Sequence, residues 1–107
     1  MTTATKKRIT KEKKITSIKF WVRIIVEKDD PGYHSFTPSL KGLHMPGDTP
    51  EEAQENAREA AALMLKVMIL DGDPIPIDLL EKSKKERVSL SKDVVKSTVE
   101  EIRIDLK

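Results

Sequence analysis

Thr49-Pro50-Glu51-Glu52 opens the segment of this chain whose conformation is most tightly dictated by its residues, and Asp71-Gly72 closes it. The Thr49 hydroxyl is placed to cap a helix by accepting from the Glu52 backbone N–H. Glu52, three residues on, can reach back to the Thr49 N–H and complete a capping box. Pro50 falls at the first helical position, where its missing N–H costs nothing and its φ is already helical. Asp48, Glu51 and Glu52 set negative charge against the positive end of the helix dipole. Gly47, just before the cap, is read as allowing a backbone conformation that a Cβ would hinder. At the far end Gly72 suits a left-handed cap and Pro74 blocks any restart. These signals predict one long helix from Pro50 to Asp71.

The faces of that helix constrain its neighbours. Ala53, Ala57, Ala60, Ala61, Met64, Val67 and Met68 recur at three- and four-residue spacing and form an apolar stripe. Gln54, Glu55, Arg58 and Glu59 fill the other side of the first half. In the second half, only Lys66 interrupts the run from Leu63 to Leu70. A helix apolar over most of its circumference has to be covered over most of it. One small sheet covers one side. The rest falls either to another segment of the same chain or to a second subunit or partner, which would meet Leu63, Leu65, Ile69 or Leu70.

Strands precede the helix and follow it. From Ile15 to Lys28, Ile18, Phe20, Val22, Ile24 and Val26 alternate with Lys19, Trp21, Arg23, Ile25 and Glu27. The first set should lie on the helix; the second is mixed and includes the chain's only Trp. Trp21 beside Arg23 has the composition of an interface anchor, although half-covered surface is the commoner fate of such a pair. Asp29-Asp30-Pro31-Gly32 reads as a turn into a strand at Tyr33–Thr37, with Pro38 ending the ladder. Leu43–Met45 is expected as a short third strand. His34 and His44, the two histidines, show no partner pattern and are read as strand-surface residues. After the helix, the prolines extend 73–80 and lay Ile75, Ile77 and Leu79 along the body of the domain. Thr98 to Lys107 alternates again, Ile102, Ile104 and Leu106 against Glu101, Arg103 and Asp105. That last strand pairs either in its own sheet or with a neighbour. The expected fold is α+β, ordered β-β-β-α-β, with a small antiparallel sheet packed on one long helix and a late C-terminal strand at about 98–106.

With 107 residues the chain is expected to form one domain at 15–107, its core at 18–77, behind a basic tail at 1–14. It lacks cysteine, so it has neither disulfides nor thiolate metal ligands, which fits a reducing cytoplasm. No apolar run is long enough to span a membrane and no leader pattern is visible. The net charge is only +2, yet Met1 to Lys19 carries seven Lys or Arg against the single acid Glu12. Such a tail can attract nucleic-acid phosphates, but it holds no aromatic residue on which bases could stack.

The ordered set Glu27, Gly32-Tyr33, Pro38-x-Leu40-x-Gly42, Gly47-Asp48-Thr49, Glu52-Ala53, Asn56-Ala57, Glu59-Ala60 and Gly72 with Pro74 and Pro76 resembles the HicB antitoxins of toxin–antitoxin pairs. The match runs from Trp21 to Pro76, about half of the chain. It implies a partial RNase H-like unit, self-association into a dimer or tetramer, and a small basic RNA-cleaving toxin, HicA-like, as partner. Lys41 stands where the family commonly has Pro, Ser39 where Asp is common, and Leu43 where Cys is frequent. Residues 81–107 show no paired helices for operator DNA, so the resemblance is to the small stand-alone HicB-like proteins.

Three functions follow as expectations. The first is a protein-binding module without catalysis, metal or cofactor, whose candidate contacts are Trp21, Arg23, Leu63, Leu65, Ile69, Leu70, Ile102, Ile104 and Leu106. The second is nucleic-acid binding through the basic tail. The third is an RNase H-like nuclease; two-metal hydrolysis needs convergent carboxylates, whereas only Glu27 lies on the first strand, and turns or the cap explain Asp29, Asp30 and Asp48. No residue is assigned a catalytic role.

Overall fold

The computed structural model describes residues 16–80 and 92–106. The expected tail at 1–14 and the charged connection at 81–91 lie outside them. The elements are β1 (Ser17–Asp29), β2 (Gly32–Phe36), β3 (His44–Gly47), α1 (Pro50–Asp71), a 3-10 turn at Ile77–Leu80, and β4 (Val94–Asp105). The four strands form one antiparallel sheet in the order β3-β2-β1-β4, with α1 lying on one face.

Strand alternation decides which face that is. Phe20, Val22, Ile24 and Val26 are fully buried beneath the helix, joined by Ile102 and Ile104 of β4. Register explains the pairing: Phe20 lies opposite Ile102 and Ile18 opposite Ile104, so both strands give their apolar side to one core. β4 therefore pairs along nearly the whole of β1 in its own chain. It also begins earlier than its alternation suggested, because Val94 to Ser97 continue the ladder past an irregularity at Val26/Glu27. Ile102 and Ile104, expected as surface contacts, are core residues.

The helix is bounded as its sequence requires. Thr49 is extended (φ −130°, ψ 160°), and its Oγ1 accepts from the Glu52 N–H at 3.0 Å. The reciprocal bond differs from expectation: the Glu52 carboxylate accepts from the Asp48 N–H at 2.6 Å, one residue before the cap. Gly72 adopts φ 74°, its N–H donates to the Ile69 carbonyl and the Asp73 N–H to that of Met68, which closes the last turn.

The buried stripe is Ala53, Ala57, Ala61 and Leu65. Val67, expected inside, is largely exposed, and Leu65, expected as a contact, is fully buried. Alanines carry little phase information, so the four-residue step from Ala61 sets Leu65 inward and turns Val67 out. Three small residues in succession also let the helix approach the sheet closely. At Gly47 a Cβ would sit 2.7 Å from the Ala53 Cα, and at Gly32 it would meet the Gly47 carbonyl oxygen at 2.7 Å. Close approach, and not positive φ, is what these two glycines provide; positive φ occurs at Gly42 and Gly72. The turn before Gly32 holds a cis Asp30–Pro31 bond.

Two further corrections concern apolar side chains. Leu79 is buried on β1 while Ile77 projects into solvent, because 77–80 coil into the 3-10 turn instead of staying extended. Leu43 is a core residue and the third strand starts at His44, one residue later than expected.

Candidate interaction surfaces

A few polar side chains, Asn56 of the ordered set among them, build the joint between α1 and the sheet. The Ser35 hydroxyl is buried and donates to the Ala53 carbonyl at 2.6 Å. Asn56 Nδ2 donates to the Pro46 carbonyl at 2.8 Å. On the other flank, Arg58 reaches β4: its Nε lies 3.0 Å from Glu100 Oε1 and its Nη2 donates to the Glu101 carbonyl at 2.8 Å. Gln54 also donates to the Glu100 carboxylate. Glu100 is mostly buried at this seam, so the pair is less screened than a surface one.

Three of the carboxylates weighed for nuclease chemistry, those of Glu27, Asp29 and Asp30, serve local partners. His34 Nε2 is 3.1 Å from Glu27 and its Nδ1 3.5 Å from Asp29, which ties β1 to β2. Asp30 lies 3.3 Å from Lys28, and Asp48 supplies the N–H that Glu52 accepts from. Among the described residues no three His, Asp or Glu side chains gather as a metal site. An open hollow between the Pro31 turn and the helix start is lined by Glu52 and Asn56. Both of those side chains already hold the β3–α1 joint.

Two surfaces remain. The first is the outer face of α1, where Leu63, Val67 and Leu70 lie one above another at four- and three-residue spacing, 66, 46 and 74% exposed. Of the contacts expected on this helix, Leu63 and Leu70 are therefore on the surface, and Ile69 is half-buried against the core. The second is the face of the sheet turned away from α1, which carries Trp21 and Arg23, both half-buried. Arg23 Nη1 donates to Ser97 Oγ at 3.0 Å, and Lys19 Nζ stands 5.9 Å over the Trp21 ring. Register adds Phe36, which the sequence reading did not single out, and sets it against His44, read there as a strand-surface residue; the two rings stack with centroids 5.9 Å apart. Alternation in β2, with Tyr33 and Ser35 inward, was the signal that set His34 and Phe36 outward. Leu106, past the end of β4, is partly exposed.

No family model matches the chain. It is 46% identical over 54 residues to a UPF0150 protein of Synechocystis sp., a match covering 50% of this chain and 68% of the relative. A UPF0150 protein of Helicobacter pylori is 39% identical over 67 residues, covering 63% of this chain and 85% of the relative. The chain belongs to the UPF0150 family. Among solved structures, this UPF0150 protein is similar to the HicB antitoxin of Burkholderia pseudomallei, with a TM-score of 0.55 and 23% identity over 80% of the chain. It spans 62% of that antitoxin's length. The HicB-like resemblance thus holds for the fold: an antiparallel sheet packed on one long helix. Among the described residues no helix is long and apolar enough to cross a membrane.

Proposed function

We propose that this UPF0150 protein is a protein-binding module without catalysis, an antitoxin-like protein that self-associates and covers a small RNA-cleaving toxin. The observation that carries this reading is the outer face of α1. A monomer gains nothing from setting Leu63, Val67 and Leu70 in register on the solvent side of a helix whose other face already fills the core. The HicB-like fold supports the antitoxin class, and the local roles of Glu27, Asp29 and Asp30 support a surface that binds rather than cleaves.

The test is co-purification of the tagged full chain from its native host, with mass measurement of the complex. The expected result is a small basic protein in fixed ratio, released by Leu63→Glu or Leu70→Glu. Recovery of a monomer alone, at concentrations in the micromolar range typical of such partners, would overturn the reading. Leu65→Glu is unsuitable as a probe, because it would place a charge in the core.

A further inference from the structure

The sheet face opposite α1 gathers rings and cations that the helix-face reading leaves unused. Because the even residues of β1 fill the core, Lys19, Trp21, Arg23, Ile25 and Glu27 face away from the helix. Residues directly opposite them share that face: His34 and Phe36 in β2, His44 in β3, and Ser97, Val99, Glu101 and Arg103 in β4. Trp21 and Phe36, two of the chain's four Phe, Tyr and Trp residues, and both of its histidines therefore lie on this one face. Phe36 and His44 stack, and His34 lies 6.2–6.3 Å from both rings. Ile25, directly opposite Phe36, is fully buried although among the described residues no helix lies on this side.

Cations border the rings. Lys19, Arg23 and Arg103 share the face with Trp21. The acids at that end are Glu101, 3.7 Å from Lys19 and 4.0 Å from Arg103, and Asp105. Such exposed ion pairs are weak and give way to a phosphate at little cost. Glu27 and Asp29, at the opposite end, are turned to His34. The basic segment Lys6–Lys14 leads in sequence directly into β1, whose first outward cation is Lys19. That segment lacks any ring; the sheet face supplies them.

We propose that this face binds single-stranded nucleic acid, with Trp21 and the Phe36–His44 pair stacking bases and Lys19, Arg23 and Arg103 holding the backbone. Rings on one open sheet face can meet the faces of unpaired bases, which a duplex hides, and flanking cations track the phosphates. The shared chemistry is a strand of unpaired bases, RNA or DNA.

Trp21 is the only tryptophan, so its emission reports its own contact. The full chain is titrated with oligo-dT and oligo-rU of about ten nucleotides and with a duplex of the same length. Anisotropy and Trp21 fluorescence are read together. Both single strands should bind and quench Trp21, and the duplex should bind at least about tenfold more weakly. The stronger of oligo-rU and oligo-dT tells whether RNA or DNA is the natural source. Trp21→Ala and His44→Ala should each weaken binding about tenfold, with Trp21→Phe retaining most of it. Lys19→Gln should lower the salt slope by about one. His44 is exposed, so His44→Ala decides the matter even if Trp21→Ala fails to fold.

Four results would overturn the proposal: no single-strand binding at low salt; equal binding of the duplex; binding insensitive to His44→Ala; or binding removed entirely with residues 1–14 while Trp21 stays unquenched. Concentration-dependent Trp21 emission without nucleic acid would identify the face as a contact between copies instead. Leu63→Glu, on the helix layer, should leave nucleic-acid binding unchanged, so failure of this proposal and failure of the protein-binding reading are seen separately.

Discussion

Gly47 ends β3 and Gly42 lies in the connection before it, and substitution should tell these two glycines apart. At Gly47 a Cβ would press on the Ala53 backbone, which is fixed by the helix and by the Ser35 hydroxyl below it. Gly47→Ala is expected to cost about 1–3 kcal/mol through overpacking, toward the upper end because backbone and not a flexible side chain must move. At Gly42 nothing lies within 4 Å of the missing Cβ, and only the positive φ of 85° opposes a side chain. Gly42→Ala should then cost roughly 1–2 kcal/mol from backbone strain alone, and Gly42→Asn less, since Asn tolerates that region. Denaturant unfolding of the three variants checks the ranking. Ser35→Ala removes a buried hydroxyl bond and should cost about 1 kcal/mol. In sequence, Gly47 and Ser35 looked like turn and strand residues. Their partners lie on other elements, so their purpose became legible only when α1 was set on β2 and β3.

At the scale of elements, the same distinction separates what local pattern could reveal from what it could not. The caps at Thr49 and Gly72 and the alternation of β1 are properties of neighbours in sequence, and the structure keeps them. The inward phase of α1 was ambiguous because apolar residues occupy most of its second half; only packing selects Leu65 over Val67. The pairing of β4 with β1 was equally hidden, since alternation identifies a strand but not its partner. Hence the surface positions were half legible. Of the residues expected as contacts, Trp21, Arg23, Leu63 and Leu70 lie at the surface and Leu65, Ile102 and Ile104 lie in the core, while only the register sets Phe36 beside His44. A paired substitution measures the phase of the helix. Leu65→Ala should lose about 2–5 kcal/mol by opening a cavity beneath α1. Leu63→Ala, two residues away and exposed, should stay within about 0.5 kcal/mol. Comparable losses at both positions would mean that the outer face of α1 is covered in solution by a second copy.

The whole molecule depends on the strand that arrives last. β1 is flanked by β2 only from Ile25 to Asp29, whereas β4 pairs with it from Ser17 to Glu27. Without β4, the Ser17–Ile24 stretch would lose the ladder on that side, the core would lose Ile102 and Ile104, and Arg58 would lose Glu100. A chain ending before Val94 is therefore expected to show no cooperative thermal transition, with exposed apolar surface detectable by dye binding. That outcome distinguishes a structural strand from an interface strand. If β4 served mainly to bind a partner, its removal would leave a melting transition intact and abolish only the complex. In its place in the sheet β4 is, among the described residues, an edge strand of twelve residues, from Val94 to Asp105. Its exposed Glu101, Arg103 and Asp105 alternate in charge along that edge, a pattern that discourages indiscriminate pairing while permitting a register in which opposite charges meet. Replacing Glu101 and Asp105 together by Val should therefore leave the fold intact but promote concentration-dependent association, read as a rise in mass by light scattering. A mass that stays constant would show the edge to be protected by something other than its charges.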